Sequence, residues 1–471
     1  MSDDRGCMRT LCGVIPKPLS RFCGFAFLQC WILAMFSSPV PYGNNSAGLS
    51  LEWLHCLASL ASILTALAVL MFTPRLRPLS RRKELGLLLA CAGAVGSLGV
   101  SLASDGIAPA WCGLLGMMAV AVCATWLYLS WQEYYSTQGA QVAVFGFALA
   151  TIAGALLFFI LGFAARSAGV AAGVLLPILA EITLRPHRGA RFYSRTETTL
   201  TARELCIDIA HDWSPRLMTI VSLVALVYGV LRSISVPLHD VSGAELWVRF
   251  GGSLSAASVV ACFVVLSAHK RSIMKAFYVA LPLSAFGVIA YALPFGSHAE
   301  AAVFLGSCGF SLVNYLVWIV MLEKAFSRKL PVVGLLASLW SASYVGVLVG
   351  QLLAAFWPFG WEYLNYALLL LLIAASLLLV SMNGKLTVSR AALEAPEVDP
   401  VAQRALEIAE MAKLSPRETE ILVIWLAGHN AAYIEETLHI SRNTVKTHLK
   451  HIYQKTGVES KEELLKLGKR D

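Results

Sequence analysis

Long apolar stretches, separated by short polar connections, recur along the chain from about residue 20 to residue 382. Each stretch holds roughly 17 to 25 residues. A helix of about 20 apolar residues crosses the hydrocarbon core of a bilayer. The pattern therefore predicts twelve membrane-spanning helices, centred near Leu28, Ser62, Ala94, Val120, Thr151, Leu176, Leu226, Val259, Leu283, Leu312, Tyr344 and Ile373.

The composition agrees with a polytopic membrane protein. Of 471 residues, 57% are hydrophobic and 14% are charged, and the mean hydropathy is +0.68. Soluble domains average about 25% charged residues, so this composition excludes disordered, collagen-like and coiled-coil classes. None of the eleven cysteines forms a C-x-x-C pair. No glycine-rich phosphate loop, metal cluster or nucleophile–base set is recognisable, so we expect no enzyme activity, no cofactor and no metal site.

Lysine and arginine are unequally divided between the two sets of connections. The connections predicted to face the cytoplasm, together with the N-terminal segment, carry 21 of them. The opposite connections carry one, Arg166. Basic residues accumulate on the cytoplasmic side, so we predict cytoplasmic N- and C-termini in a cytoplasmic membrane.

The longest cytoplasmic connection, residues 185–216, divides the spans into six and six. Span four contains Tyr-Leu-Ser-Trp at 128–131, and span ten contains Tyr-Leu-Val-Trp at 315–318, a faint echo between the halves. This layout resembles the major facilitator architecture. That family carries a Gly-x-x-x-Asp-Arg-x-Gly-Arg-Arg pattern between spans two and three. Residues 73–82 keep the basic residues but lack the glycines and the aspartate.

Charged side chains inside a membrane are candidates for function. Arg232 lies late in span seven, and we predict that it belongs either to a ligand pocket or to an interhelical ion pair. Glu52, Glu181 and Arg249 lie near span ends, where we expect them to extend toward the interface.

The composition changes after Met382. Residues 383–413 are rich in alanine and glutamate, and we interpret them as a linker with a helical second half. Residues 414–471 carry repeated helix-boundary signals. Capping boxes at 415–418 and 460–463, glycines at 428 and 457, and Ser441 as an N-cap predict four helices, the second at 432–438 and the third ending near Lys455.

The third of these helices has two chemically different faces. Val445, Leu449 and Ile452 project on one side, with His448 beside them. The opposite side carries Asn443, Lys446, Thr447, Lys450 and Gln454. No aspartate or glutamate occurs between residues 441 and 455. An acid-free cationic face on the second helix of a helix-turn-helix pair indicates binding to double-stranded DNA.

The tail resembles the LuxR-type helix-turn-helix domain of bacterial transcription regulators. The matching residues are Leu-Ser-Pro-Arg-Glu at 414–418, Ala427-Gly428, Asn430, Ile440-Ser441, Thr444-Val445-Lys446, His448, Lys455 and Gly457-Val458. The resemblance implies that Lys446, Thr447 and Lys450 face base edges and that Arg442, Asn443 and Thr444 lie near phosphates. It also implies a homodimer through the fourth helix. Ala431-Ala432, Thr456 and Lys461 depart from the usual pattern.

The predicted protein is all-α, with a membrane domain at 1–382, a linker at 383–413 and a four-helix DNA-binding domain at 414–471. We expect a membrane-bound transcription regulator whose membrane domain senses an unknown small molecule. Its partners would be double-stranded DNA and the lipid bilayer. Two alternatives stay open: a transporter whose DNA-binding tail regulates its own expression, and a plain membrane anchor for a regulator.

Overall fold

The computed structural model describes most of the predicted spans and the central part of the tail. The described residues are 20–37, 51–76, 79, 82–136, 140–184, 215–235, 251, 254–259, 274–292, 298–328, 332–357, 361–381, 405, 408–409, 412, 414–438, 440–458 and 463–464. The chain divides into two compact units, Met1–Leu393 and Glu394–Asp471. Each unit has its own hydrophobic core.

The first unit is a bundle of long helices. Their bounds are α1 Ser20–Ser37, α2 Leu51–Leu76, α3 Lys83–Ser104, α4 Ala110–Ser136, α5 Ala140–Gly162, α6 Arg166–Leu184, α7 Pro215–Ser235, α8 Met274–Ala292, α9 His298–Arg328, α10 Val332–Phe356 and α11 Trp361–Ser381.

These helices agree closely with the predicted spans. Eleven of the twelve predicted centres lie inside a helix of the described chain, and Val259 ends a described helical stretch, 254–259. Nine of the described helices are long and apolar enough to cross a membrane. Two described apolar segments, Gly24–Phe36 and Ala280–Ala290, are shorter. The protein is thus a multi-pass membrane protein, although the described residues do not establish all twelve crossings.

The two halves of the bundle repeat the same helix packing. In the first half α3 packs on α4, α1 on α5 and α6, and α3 on α6. The equivalent spans of the second half pack in the same way: α8 on α9, α7 on α10 and α11, and α8 on α11. The halves meet where α2 packs on α10, and Ser59 donates a 2.9 Å hydrogen bond to Gln351 across this contact. The described helices therefore form two structurally equivalent halves, whereas the count of six spans in each half stays a prediction.

Connections expected on the non-cytoplasmic side lie together at one end of the bundle. Arg166, the first residue of α6, forms an ion pair with Asp105, which follows α3. The one basic residue counted on that side is therefore partnered by an acid.

The expectation for Glu181 is wrong. Its side chain does not extend to the interface, because the residue is only 1% exposed. A Cβ atom built on Gly86 would lie 2.5 Å from the Glu181 Oε1 atom. The missing side chain at Gly86 thus makes room for a carboxylate between α3 and α6.

The second unit contains three described helices: α12 Pro416–Leu426, α13 Ala431–Leu438 and α14 Arg442–Thr456. Its core is formed by apolar side chains from all three, and it also takes in Leu464 and three residues from the predicted linker, Ala405, Ile408 and Ala409. Residues 405, 408 and 409 are helical, as expected for the second half of that segment. The domain boundaries themselves stay predictions.

Candidate nucleic-acid interface

The two faces predicted for α14 are present in the structure. Val445 and Ile452 are fully buried, and Leu449 is nearly so. They pack in the core of the second unit with apolar residues of α12, such as Ile421 and Leu422. His448 is half-buried at the edge of this face. Core packing therefore fixes which side of α14 turns outward.

The outward side of α14 carries every residue predicted to contact DNA. All six are exposed: Arg442, Asn443, Thr444, Lys446, Thr447 and Lys450. The ammonium groups of Lys446 and Lys450 follow one another at a spacing of one helical turn. These two lysines also line an open groove of ≈ 660 Å³ along the helix, together with Tyr453 and Gln454. The structure thus brings the predicted cations and hydrogen-bonding groups onto one continuous surface.

Residues next to the two ends of α14 determine where this helix begins and where it ends. Ser441 is the N-cap, and its hydroxyl oxygen accepts a hydrogen bond from the Thr444 backbone N–H at 3.2 Å. The Ser441 and Thr444 hydroxyl groups lie 2.8 Å apart. At the other end Gly457 adopts a left-handed conformation with φ 71°. Residues with a side chain disfavour that conformation, so the glycine allows the helix to end at this position.

Two of the predicted contact residues also bond within the helix. The Thr447 hydroxyl donates to the Asn443 carbonyl oxygen at 3.0 Å, which leaves its methyl group and oxygen lone pairs outward. The Thr444 hydroxyl is engaged with Ser441. Thr444 therefore stabilises the first turn of α14 in addition to any contact with a phosphate.

An ion pair that the sequence patterns did not predict attaches α14 to α12. The Lys455 Nζ atom lies 2.7 Å from the Glu418 Oε2 atom. That oxygen also accepts a 2.6 Å hydrogen bond from the Ser415 backbone N–H, which completes the predicted capping box. His451 lies 3.8 Å from the other carboxylate oxygen. Glu418 thus serves both the start of α12 and the end of α14.

The environment of Glu418 favours its charged form. Burial of the carboxyl group raises its pKa, but the hydrogen bonds from Lys455 and Ser415 outweigh burial and hold the pKa at about 2. Lys455, although its side chain is partly exposed, consequently serves to attach α14 to α12. It does not belong to the cationic surface of Arg442, Lys446 and Lys450.

Two further contacts orient the helix-turn-helix pair. The Trp425 indole N–H of α12 donates to the Tyr453 hydroxyl of α14 at 3.0 Å. The Arg417 guanidinium donates to the Leu438 carbonyl oxygen at 2.8 Å, at the C-terminal end of α13. Cationic groups are favourable at that end of a helix. Helix α12 therefore contacts both helices of the helix-turn-helix pair, α13 and α14.

The N-terminus of α13 has its own cap. The Asn430 side-chain oxygen accepts a 2.9 Å hydrogen bond from the Tyr433 backbone N–H. The helix begins at Ala431 instead of the predicted residue 432, and α14 runs to Thr456, one residue beyond the prediction. The predicted fourth helix lies mostly outside the described residues; Glu463 and Leu464 are helical, and Leu464 is buried.

Arg232, the predicted ligand residue of the membrane unit, lies at a contact between the two halves. Its Nη2 atom donates to the Phe36 carbonyl oxygen at 2.7 Å. Its guanidinium carbon lies 5.8 Å from the centroid of the Phe36 ring. These contacts join the ends of α7 and α1. A role for Arg232 in ligand binding stays a prediction.

Comparison with protein families identifies the tail. Residues 412–467 match the family described as "Bacterial regulatory proteins, luxR family". The chain thus carries a LuxR-type helix-turn-helix domain at its C-terminal end, as the motif predicted. No curated protein matches the chain.

Solved structures similar to this chain are membrane transporters. The human organic anion transporter MFSD10 is 15% identical, with a TM-score of 0.52 over 77% of this chain and 100% of that one. The Escherichia coli fucose:proton symporter FucP is 11% identical, with a TM-score of 0.52 over 77% of this chain and 97% of that one. At such low identity the similarity establishes a shared fold. The N-terminal unit therefore has the major facilitator fold that its layout predicted.

Proposed function

We propose that the protein is a membrane-bound transcription regulator that binds specific double-stranded DNA through α14. The observation that carries this proposal is the exposed, acid-free face of α14 with Arg442, Lys446 and Lys450. Such a face attracts phosphates, and a helix of this size fits the major groove. Its attachment to a multi-pass bundle in one chain would place transcription control at the membrane.

The proposed contacts follow the order of residues along α14. Lys446, Thr447 and Lys450 would contact base edges, because they lie on the outer ridge of the helix. Arg442 and Asn443 would contact phosphates from its first turn, where the helix dipole also favours anions. Thr444 would support them, since its hydroxyl already bonds to Ser441.

Two copies of the domain would act together on a two-fold symmetric site. Helix-turn-helix dimers contact two half-sites about one helical turn apart. The predicted fourth helix would supply the dimer contact, and buried Leu464 fixes the start of that helix against the core. Because DNA is found in the cytoplasm, the DNA-binding unit would lie on the cytoplasmic side of the membrane.

The membrane unit would act as the sensor. A small molecule changes the output only if it binds two conformations with different affinities. Major facilitator bundles move one half against the other, and the contact of Arg232 with Phe36 lies between halves. Ligand binding near this contact would alter the position or pairing of the DNA-binding units.

Transcript profiles of a deletion strain test the regulator. Complementation with the natural chain should restore the transcripts that change on deletion, whereas the double variant Lys446→Ala, Lys450→Ala should restore none of them. The variant Lys83→Ala, which removes one exposed cation at the start of α3, is the control and should complement fully. Equal complementation by the double variant would contradict the proposal.

The transporter-like fold favours a second function, a transporter whose tail regulates its own expression. Replacing residues 1–382 with an unrelated membrane anchor separates the possibilities. A sensor predicts that regulation becomes independent of conditions. A plain anchor predicts unchanged regulation. An autoregulated transporter predicts that a solute-uptake phenotype is lost together with the natural spans.

A further inference from the structure

Six aromatic side chains from both halves of the membrane unit form one continuous group, here called the aromatic cluster: Tyr128 of α4, Phe147 of α5, Tyr315 and Trp318 of α9, and Trp340 and Tyr344 of α10. The ring centroids of Tyr128 and Trp340 are 4.1 Å apart, and those of Phe147 and Trp318 are 4.7 Å apart. Both of these contacts join the first half of the bundle to the second.

Three rings of the cluster are not fully covered by other protein atoms. Tyr128 is half-buried, while its neighbours Leu127 and Leu129 are almost completely buried. Tyr128 contacts rings of three other helices, at Phe25, Phe147 and Trp340, so its side chain points into the bundle. Trp340 and Tyr344 are half-buried as well. These three rings therefore keep some accessible surface.

The cluster also holds buried hydrogen-bonding groups that find no partner in the part of the chain that the structure describes. The indole nitrogens of Trp318 and Trp340 have no hydrogen-bond partner among the described residues, and neither does the Thr125 hydroxyl, one turn from Tyr128. The fully buried Gln132 amide lies one helical turn from Tyr128 and interacts with that residue. An unsatisfied buried polar group costs about 1–3 kcal/mol, and native proteins retain few of them. Their concentration here points to an external partner.

We propose that the aromatic cluster is the sensor's ligand site and that it takes a flat, uncharged aromatic or heteroaromatic molecule carrying a hydrogen-bond acceptor. This inference rests on the proposed sensor function and names the chemical class of the signal. The half-buried rings supply stacking surfaces. The two indole N–H groups supply donors that require an acceptor on the ligand, and the Gln132 amide can serve either as donor or as acceptor.

The charge of the site selects against ionic ligands. The six rings, Thr125 and Gln132 carry no formal charge. A buried ion without an opposite charge is strongly disfavoured. A ligand bridging Tyr128 and Trp340 would contact both halves at once, so its binding would bias their relative position.

Binding of defined probes to the full chain tests the site. The chain is placed in phosphatidylethanolamine–phosphatidylglycerol nanodiscs, with empty nanodiscs correcting for partition into lipid. The probes are quinoline, coumarin, flavone and phenazine, and naphthalene has the shape of quinoline without its acceptor. At least one acceptor-bearing probe should quench tryptophan fluorescence saturably and raise the unfolding temperature. Naphthalene should bind about tenfold more weakly than quinoline, as expected for one lost hydrogen bond.

Matched variants separate the site from general stability. Trp340→Phe keeps an aromatic ring and Gln132→Leu keeps a side chain of similar size. Both remove hydrogen-bonding groups, and each should weaken binding about tenfold. Trp31→Phe is the control, because its buried indole N–H donates to Ser97 at 3.1 Å, away from the cluster. It should lower stability without changing probe affinity. The proposal is overturned if no probe binds saturably, or if all three variants bind equally.

DNA binding, measured on the same nanodiscs, distinguishes failure of the site from failure of the sensor. Saturable probe binding with no change in DNA affinity would support the site and contradict the sensor. Transcription that responds to growth conditions in cells, with no probe bound in nanodiscs, would support the sensor and refute this site.

Discussion

Glu418 and Lys455 join the first turn of α12 to the last turn of α14 through a 2.7 Å ion pair, although they are 37 residues apart in sequence. The Glu418 side chain is 5% exposed, and that of Lys455 is 41% exposed. Because Glu418 also completes the capping box with Ser415, a single carboxylate sets the position of the proposed recognition helix.

Removing the Glu418 charge should destabilise the C-terminal unit. The variant Glu418→Gln leaves Lys455 and the Ser415 N–H with a weaker acceptor, and we expect a loss of about 1–3 kcal/mol in unfolding free energy. Urea unfolding of residues 394–471, followed by circular dichroism, measures it. Glu420→Gln is the control, since its 2.8 Å pair with Arg417 is about one-third exposed and should contribute at most about 1 kcal/mol. Equal effects of the two variants would refute the framework role of Glu418.

The same carboxylate predicts a pH dependence. The pKa of Glu418 is lowered from 4.5 to about 2 in the folded state. Its stabilisation is therefore complete above pH 4.5 and is lost as the pH falls through 2. The unfolding free energy of the natural unit should fall more steeply between these values than that of Glu418→Gln. Parallel pH profiles of the two proteins would show that Glu418 titrates normally.

The N-cap of α14 should matter for both stability and DNA affinity. Ser441→Ala removes the acceptor for the Thr444 N–H and should cost about 0.5–2 kcal/mol. The first turn would fray, so Arg442 and Asn443 would lose their fixed positions and DNA affinity should fall. Ser441→Asp keeps a capping oxygen and should retain the stability. A stable but non-binding Ser441→Ala variant would instead indicate direct contact between Ser441 and DNA.

The close contact between α7 and α10 should depend on the absence of a side chain at Gly350. A Cβ at Gly350 would collide with the Leu226 carbonyl oxygen. Gly350→Ala should therefore lower the unfolding temperature of the full chain in detergent, at a cost of about 1–3 kcal/mol. Gly99→Ala is the matched control, because its new Cβ would meet the Cys112 carbonyl oxygen at an ordinary 3.4 Å. If both variants melt alike, the α7–α10 contact is looser than the structure shows.

The sequence predicted the features that depend on one-dimensional patterns. Membrane spans follow from length and hydropathy, since lipid imposes both. The two faces of α14 follow from its 3.6-residue period, because its inner side is apolar and its outer side polar. The caps at Ser415 and Ser441 were likewise predictable, since each bonds to a residue three positions away.

Contacts between distant residues were not predictable. The ion pair of Lys455 with Glu418 was not predicted, because periodicity does not reveal a pairing between residues so far apart in sequence. Glu181 was predicted to lie at the interface, because the sequence does not show that the missing side chain at Gly86 leaves room for its carboxylate. The aromatic cluster was not predictable for a related reason. Inside a uniformly apolar span, no polar face indicates which ring points inward. The Tyr–Trp echo at 315–318 gave a partial signal, since Phe147 contacts both of those rings.

The salt dependence of DNA binding tests the central claim most directly. The affinity for double-stranded promoter DNA is measured from 50 to 200 mM salt for three proteins in nanodiscs. They are the natural full chain, the double variant Lys446→Ala, Lys450→Ala, and the control Lys83→Ala. The natural chain and the control should lose affinity steeply as salt rises. The double variant should bind promoter DNA more weakly at every salt concentration, because two contacts to base edges are removed. Salt-insensitive binding of the natural chain, or equal affinity of the double variant, would contradict recognition of DNA by α14.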